Sequence, residues 1–213
     1  MEKWIHKVAV ITGASTSIGQ QIIKDLAFSG LTVIGITRKK HVIDAIANRH
    51  KSRGKIHALE CDIADRDAIK SAFNSIEKEF GRLDVMINNA EHGTRRNEEL
   101  MMNFALTGVI WCTSEAFKLM EKGKECGYII NVNGLAKKCA VKNHTETVRL
   151  DLANARNRLI RVTSLCPECI DEKVSTDQKL SPKDVSNTIL YLLSTPQQIN
   201  ITELTIKSTG LPL

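Results

Sequence analysis

The chain has 213 residues, a formal net charge of +6, 42% apolar residues and 25% charged residues. That balance excludes a disordered, collagen-like or coiled-coil chain. Aromatics at 4% argue against a base-stacking nucleic-acid binder, and no apolar run reaches the ~18 residues of a membrane span. The charged start of the chain passes directly into a strand pattern, which predicts neither a signal nor a transit peptide and hence a cytoplasmic protein. Six cysteines, at 61, 112, 126, 139, 166 and 169, are then expected as reduced thiols.

In chain order, Lys7–Thr12 reads as a buried strand ended by Gly13, and Ile18–Ser29 as a helix stopped at Gly30. Leu31–Thr37 is a second strand, Val42–Arg49 a helix, Lys55–Cys61 a third strand and Asp65–Phe80 an amphipathic helix. Leu83–Ile87, Gly127–Val132, Ile160–Cys166 and Ile199–Ile206 complete seven strands. Asn97–Met120, Thr145–Ala155 and Pro182–Ser194 complete the helices. Strands alternating with helices are βαβ units, so the expected fold is α/β: a single-domain, doubly wound parallel sheet of Rossmann type over residues 1–213. Continuous Val/Ile/Leu runs suit strands buried on both faces.

Such sheets bind ligands beyond the carboxyl ends of their strands. There strand one runs into Thr12-Gly13-Ala14-Ser15-Thr16-Ser17-Ile18-Gly19, a glycine turn opening a helix. This turn lets the backbone approach a pyrophosphate, and the helix N-terminus supplies N–H groups and positive dipole. With Cys61-Asp62-Ile63, Asn88-Asn89-Ala90, Tyr128–Val132 and Ile160–Pro167 in this order and spacing, the chain resembles the short-chain dehydrogenases/reductases over nearly its whole length. The ending, from Leu180 to Gly210, resembles their farnesol-dehydrogenase-like subgroup of carbonyl and alcohol oxidoreductases.

The resemblance implies a cofactor site. Gly13, Ser15, Ser17, Ile18 and Gly19 would hold the phosphates. Asp62 would meet the adenine amino group and Ile63 its ring, Asn89 and Ala90 would line the ribose, and Pro167 would border the nicotinamide end. After strand two an enzyme that uses NAD(H) places an acid, whereas this chain has Arg38 and Lys39. Two cations suit a 2′-phosphate, so NADP(H) is expected in preference to NAD(H).

The chain departs from the family at the chemistry. The family's middle glycine is Ser17, and acids stand at Glu91 and Glu168. Its catalytic Ser corresponds to Gly134, next to Asn133, and its relay Asn to Ala105. The two tyrosines, Tyr128 and Tyr191, are followed four residues later by Val132 and Thr195, not by lysine. The segment that should carry Tyr-x-x-x-Lys, Leu135–Thr147, reads as a shortened loop before a truncated helix, with Lys138 and Lys142 at i, i+4. Lys138, Lys142 and Asn133 are the weak catalytic candidates, and no metal site is expected. Cys166 and Cys169, with Cys139 and His144 on neighbouring loops, form a thiol cluster better read as chance. Arg95, Arg96, Lys137 and Lys138 read as a solvated basic rim.

Three functions remain open on the sequence. The first is a catalytically deficient, NADP(H)-binding pseudoenzyme with a binding or regulatory role. The second is an active oxidoreductase acting on a hydrophobic alcohol, aldehyde or ketone through a rearranged site. The third is an interaction protein that has lost nucleotide. A small hydrophobic ligand, a protein partner or a homodimer through Met101–Met120 is compatible with each, and nucleic acid is not an expected partner.

Overall fold

The computed structural model describes residues 1–90, 98–124, 126–133, 138–157, 159–167 and 180–209; of 98–105 and 138–140 it describes the backbone. Seven strands form one parallel sheet: β1 (Val8–Thr12), β2 (Thr32–Thr37), β3 (Ile56–Glu60), β4 (Val85–Asn88), β5 (Gly127–Val132), β6 (Ile160–Pro167) and β7 (Glu203–Ile206). Their order is β3-β2-β1-β4-β5-β6-β7. The winding reverses between β1 and β4, so the crevice outside the ends of these strands is the place where such sheets bind ligands.

The helices are α1 (Ser17–Phe28), α2 (Lys40–Arg49), α3 (Arg66–Phe80), α4 (Glu98–Gly123), α5 (Lys138–Asn154) and α6 (Pro182–Ser194). On one face, Ile22, Ile23 and Leu26 of α1, Ile43 of α2 and Leu192 of α6 pack on Ile11, Val33 and Ile87. On the other, Phe73 of α3, Cys112 of α4 and Leu152 of α5 pack on Val10, Met86 and Val162. Both layers exclude water from the sheet, as the unbroken apolar strands require. Start signals are local: Thr16 caps α1, Asp65 caps α3, and Ser181 with Asp184 forms a capping box before Pro182.

Two elements differ from the sequence reading. The expected helix Thr145–Ala155 starts seven residues earlier, at Lys138, so Lys138 and Lys142 stand on a helix and not on a loop. Val141, Thr145 and Leu152 are its buried positions, a helical spacing that the lysines between them conceal. The expected strand Ile199–Ile206 is only Glu203–Ile206. The carbonyls of Ile199 and Ile201 accept from the Arg161 and Thr163 side chains, and backbone pairing with β6 starts only at Thr202, whose carbonyl accepts from the Ser164 N–H at 3.0 Å. The remaining elements agree within three residues at each end, the largest difference being α4, expected over Asn97–Met120 and found over Glu98–Gly123, close to the usual uncertainty of helix and strand ends.

Candidate functional site

At the end of β1 the chain turns through Gly13 at φ +64°, a left-handed conformation that suits glycine. A Cβ there would stand 2.6 Å from Ala90 Cα, and one on Gly19 would stand 2.3 Å from Gly13 O. Both glycines therefore allow the turn, the first turn of α1 and the end of β4 to close on one another. Thr16 Oγ1 donates to Gly13 O at 2.9 Å and accepts from the Gly19 N–H at 3.0 Å. Asn89 Nδ2 donates to Thr16 Oγ1 at 3.1 Å and Gly13 O at 3.3 Å. The N–H groups of Asn89 and Ala90 both donate to Thr12 Oγ1 at 3.2 Å. This network fixes the α1 N-terminus against the ends of β1 and β4.

Gly13, Ser15, Arg38, Asp62, Ile63 and Ala90 line one cleft of about 80 Å³. Its floor is set by Thr37, whose Oγ1 donates to Ser15 Oγ at 2.9 Å and accepts from the Lys39 N–H at 3.0 Å. Asp62 is oriented by the Ala64 N–H, 3.0 Å from Oδ1, and Arg38 Nη1 lies 3.8 Å from Asp62 Oδ2. Both side chains are largely exposed, so that pair is worth little and is easily exchanged for a ligand. Cys61 also lines the cleft. Burial first, then the carboxylates of Asp62 and Asp65, push its thiol up to about 11, so it is a neutral wall and not a nucleophile.

The other sequence candidates fall around this centre. Ser17 and Ile18 are the first residues of α1, both half-buried, and Lys39 is exposed beside Arg38. Pro167 ends β6, opposite Ile206 of β7, and does not line the cleft. Asn133 follows β5, buried, with Nδ2 donating to Ser164 Oγ at 2.8 Å. Lys142 is half-exposed, its Nζ 2.7 Å from Glu203 Oε2. Gly134, Glu91, Arg95, Arg96, Lys137, Glu168 and Cys169 lie outside the described residues, as do the side chains of Ala105, Lys138 and Cys139. His144 is half-buried on α5, its Nε2 has no partner among the described residues, and burial lowers its pKa. Among the described residues no three His, Cys, Asp or Glu side chains converge on a metal position.

The sequence reading missed a buried relay of amides joining β4, β5, α4 and α5. Asn88 Nδ2 donates to Asn131 Oδ1 at 2.8 Å and Thr113 Oγ1 at 3.0 Å, and Asn131 Nδ2 donates to Thr145 Oγ1 at 2.9 Å. Polar residues closing apolar strands were its only signal. Tyr128 lies fully buried near the start of β5, where its hydroxyl shares a hydrogen bond of 2.7 Å with Thr163 Oγ1. Burial raises its pKa. Tyr191 is 56% exposed on α6.

A family model described as short chain dehydrogenase matches residues 7–183. The chain belongs to the short-chain dehydrogenase family. The farnesol dehydrogenase of Aedes aegypti is 34% identical over 245 aligned positions, which cover 99% of this chain and 99% of that protein. Since the chain has 213 residues, at least 32 of those 245 positions have no residue here. Human dehydrogenase/reductase SDR family member 11 is 30% identical, with 98% of this chain and 96% of that protein covered. In fold, the chain superposes on the alcohol dehydrogenase of the archaeon Thermococcus sibiricus complexed with 5-hydroxy-NADP. The TM-score is 0.87 at 20% identity, over 98% of this chain and 99% of that one.

Proposed function

We propose that this member of the family binds NADP(H) but has lost the ordinary proton-transfer apparatus, and acts as a binding or regulatory protein. The carrying observation is the position of its phenols. Tyr128 is used inside the sheet by Thr163, Tyr191 sits on the outer surface of α6, and neither has a lysine one helical turn later. General acid–base transfer by a positioned group contributes about 10²–10⁴-fold, and burial has moved the Tyr128 phenol away from the pH range of such work. The absent positions of the alignment with the Aedes relative favour the same reading.

The cleft suits a dinucleotide. The α1 N-terminus, with Gly13, Ser15, Ser17, Ile18 and Gly19, would take the pyrophosphate on backbone N–H groups. Arg38 and Lys39 would take a 2′-phosphate. Asp62 would accept from the adenine amino group, Ile63 would cover the ring, and Asn89 with Ala90 would border the ribose. Pro167, at the same end of the sheet, would lie toward the nicotinamide. When bound, NADP(H) supplies a hydride donor or acceptor; this chain's residues orient it and neutralise its phosphates. Partners at this site, a small hydrophobic ligand or a protein, and pairing of two copies through α4 and α5 belong to the same proposal.

The relatives' names favour a second reading, an active oxidoreductase, and α5 does place Lys138 and Lys142 one turn apart. The ion pair of Lys142 with Glu203 weighs against it. NADPH consumption with farnesal and simple diketones decides between the two. No rate above the protein-free control is expected; turnover at an ordinary enzyme rate, about 1 s⁻¹ or more, that disappears when both lysines become alanine would establish the second reading instead. A third reading, an interaction protein without nucleotide, is separated by the binding titration that closes the Discussion.

A further inference from the structure

α1 begins at the nucleotide cleft and ends about 18 Å away, toward the opposite ends of the strands. That end carries a surface that the cleft does not use. Phe28, the last residue of α1, is 68% exposed. Lys24 stands four residues before it, on the same side of the helix. The connection from α2 to β3 folds against this helix end: the Gly54 N–H donates to Ala27 O at 2.8 Å, and His50 Nε2 lies 3.2 Å from Lys24 O. Arg49 closes α2, and Lys51, Arg53 and Lys55 follow at alternate positions, all of them exposed. Five cations therefore gather at the helix end that presents one exposed phenyl ring.

The acids of this stretch are engaged elsewhere. Between residues 24 and 55 they are Asp25 and Asp44. Lys183 Nζ is 2.7 Å from Asp25 Oδ1, and Lys40 Nζ is 2.8 Å from Asp44 Oδ2. Among the described residues Lys24, Arg49, Lys51, Arg53 and Lys55 have no carboxylate partner. Neither the ring nor the charges stabilise the chain by themselves: the ring keeps its apolar surface in water, and the cations repel one another.

We propose that this surface docks on an anionic lipid bilayer, with Phe28 entering between the headgroups and the cations meeting the acidic groups around it. A cluster of about four to eight Lys or Arg side chains is attracted to an acidic leaflet, and an apolar side chain beside it adds the buried area that reversible attachment uses. No helix of the described residues is long and apolar enough to cross a membrane, so the contact is with the surface. Two other polyanions fit less well. Single-stranded nucleic acid is held on successive aromatic platforms, and Phe28 is the one Phe, Tyr or Trp between residues 24 and 55. A peptide is held along a groove or a sheet edge, whereas Phe28 stands out into solvent. The proposal does not depend on nucleotide binding.

The probe is a vesicle of phosphatidylcholine with about one third phosphatidylserine, compared with phosphatidylcholine alone, each sedimented with the full chain. The expected result is binding to the anionic vesicles, weakened by added salt, and none to the neutral ones. Lys51→Glu/Arg53→Glu should lower it about tenfold or more, and Phe28→Ser about tenfold. Lys70→Glu/Lys78→Glu, on α3 across the sheet, changes the net charge equally and should leave binding within a factor of about two, because those sites lie beyond the screening length. All five substituted side chains are exposed, so each variant should fold. No binding to anionic vesicles, unchanged binding in either patch variant, or an equal loss in the α3 variant overturns the proposal. Binding of polyglutamate or a single-stranded RNA through the same residues, with no vesicle bound, assigns the surface to a soluble polyanion and overturns it too.

Discussion

Asp25 ties two helices together. It accepts from Gln21 Nε2 at 3.0 Å on its own helix, and from Lys183 Nζ at 2.7 Å and Ser186 Oγ at 2.6 Å on α6. Burial alone would raise its pKa, but the hydrogen bonds from Gln21, Lys183 and Ser186 outweigh it and hold the carboxyl below its ordinary 3.8. A depressed folded value stabilises the fold above pH 3.8, and that stability is lost as pH falls through the folded value. Asp25→Asn should cost about 1–2 kcal/mol at neutral pH, and the gap to the natural chain should close below pH 3.8; urea melts at several pH values measure it. Arg38 is a residue-scale test of cofactor choice. Arg38→Ala should weaken NADPH about tenfold or more and leave NADH within a factor of about two, because only NADPH carries the 2′-phosphate. Parallel loss for both dinucleotides would place Arg38 elsewhere in the site.

At the scale of elements, the turn from β1 into α1 stands on the closeness of Gly13 to Ala90. Gly13→Ala brings a Cβ to 2.6 Å from Ala90 Cα at φ +64°. It should cost about 1–3 kcal/mol and weaken NADPH binding together with Tm, seen in thermal melts with and without the dinucleotide. This turn was legible in the sequence because glycine spacing, strand end and helix cap coincide within eight residues. The start of α5 was not: among the described side chains of its first turns, Val141 is the apolar one placed inward, beside Lys142 and Asn143. Nor was the start of β7, since Ile199 and Ile201 alternate like a strand while their carbonyls turn to Arg161 and Thr163. Periodicity reports which side chains are apolar, not which carbonyls are taken by side chains.

Across the whole molecule, the sheet order and both packed layers follow from the alternation of apolar strands and amphipathic helices, so the architecture was legible almost throughout. That the expected site residues gather was legible because short motifs end at neighbouring strands: Gly13, Asp62 and Ala90, far apart in sequence, share one cleft. The amide relay through Asn88, Asn131 and Thr145 was not, because it depends on which buried groups meet across strands. The result is a sheet with an open cleft beside the β1–α1 glycine turn at one end and no tyrosine–lysine pair in register in the sequence. The account rests on the first of these. Calorimetric titration of NADPH into the full chain tests it most directly: a single saturable event in the micromolar range is expected, with NADH weaker. Flat heats with both dinucleotides would contradict it.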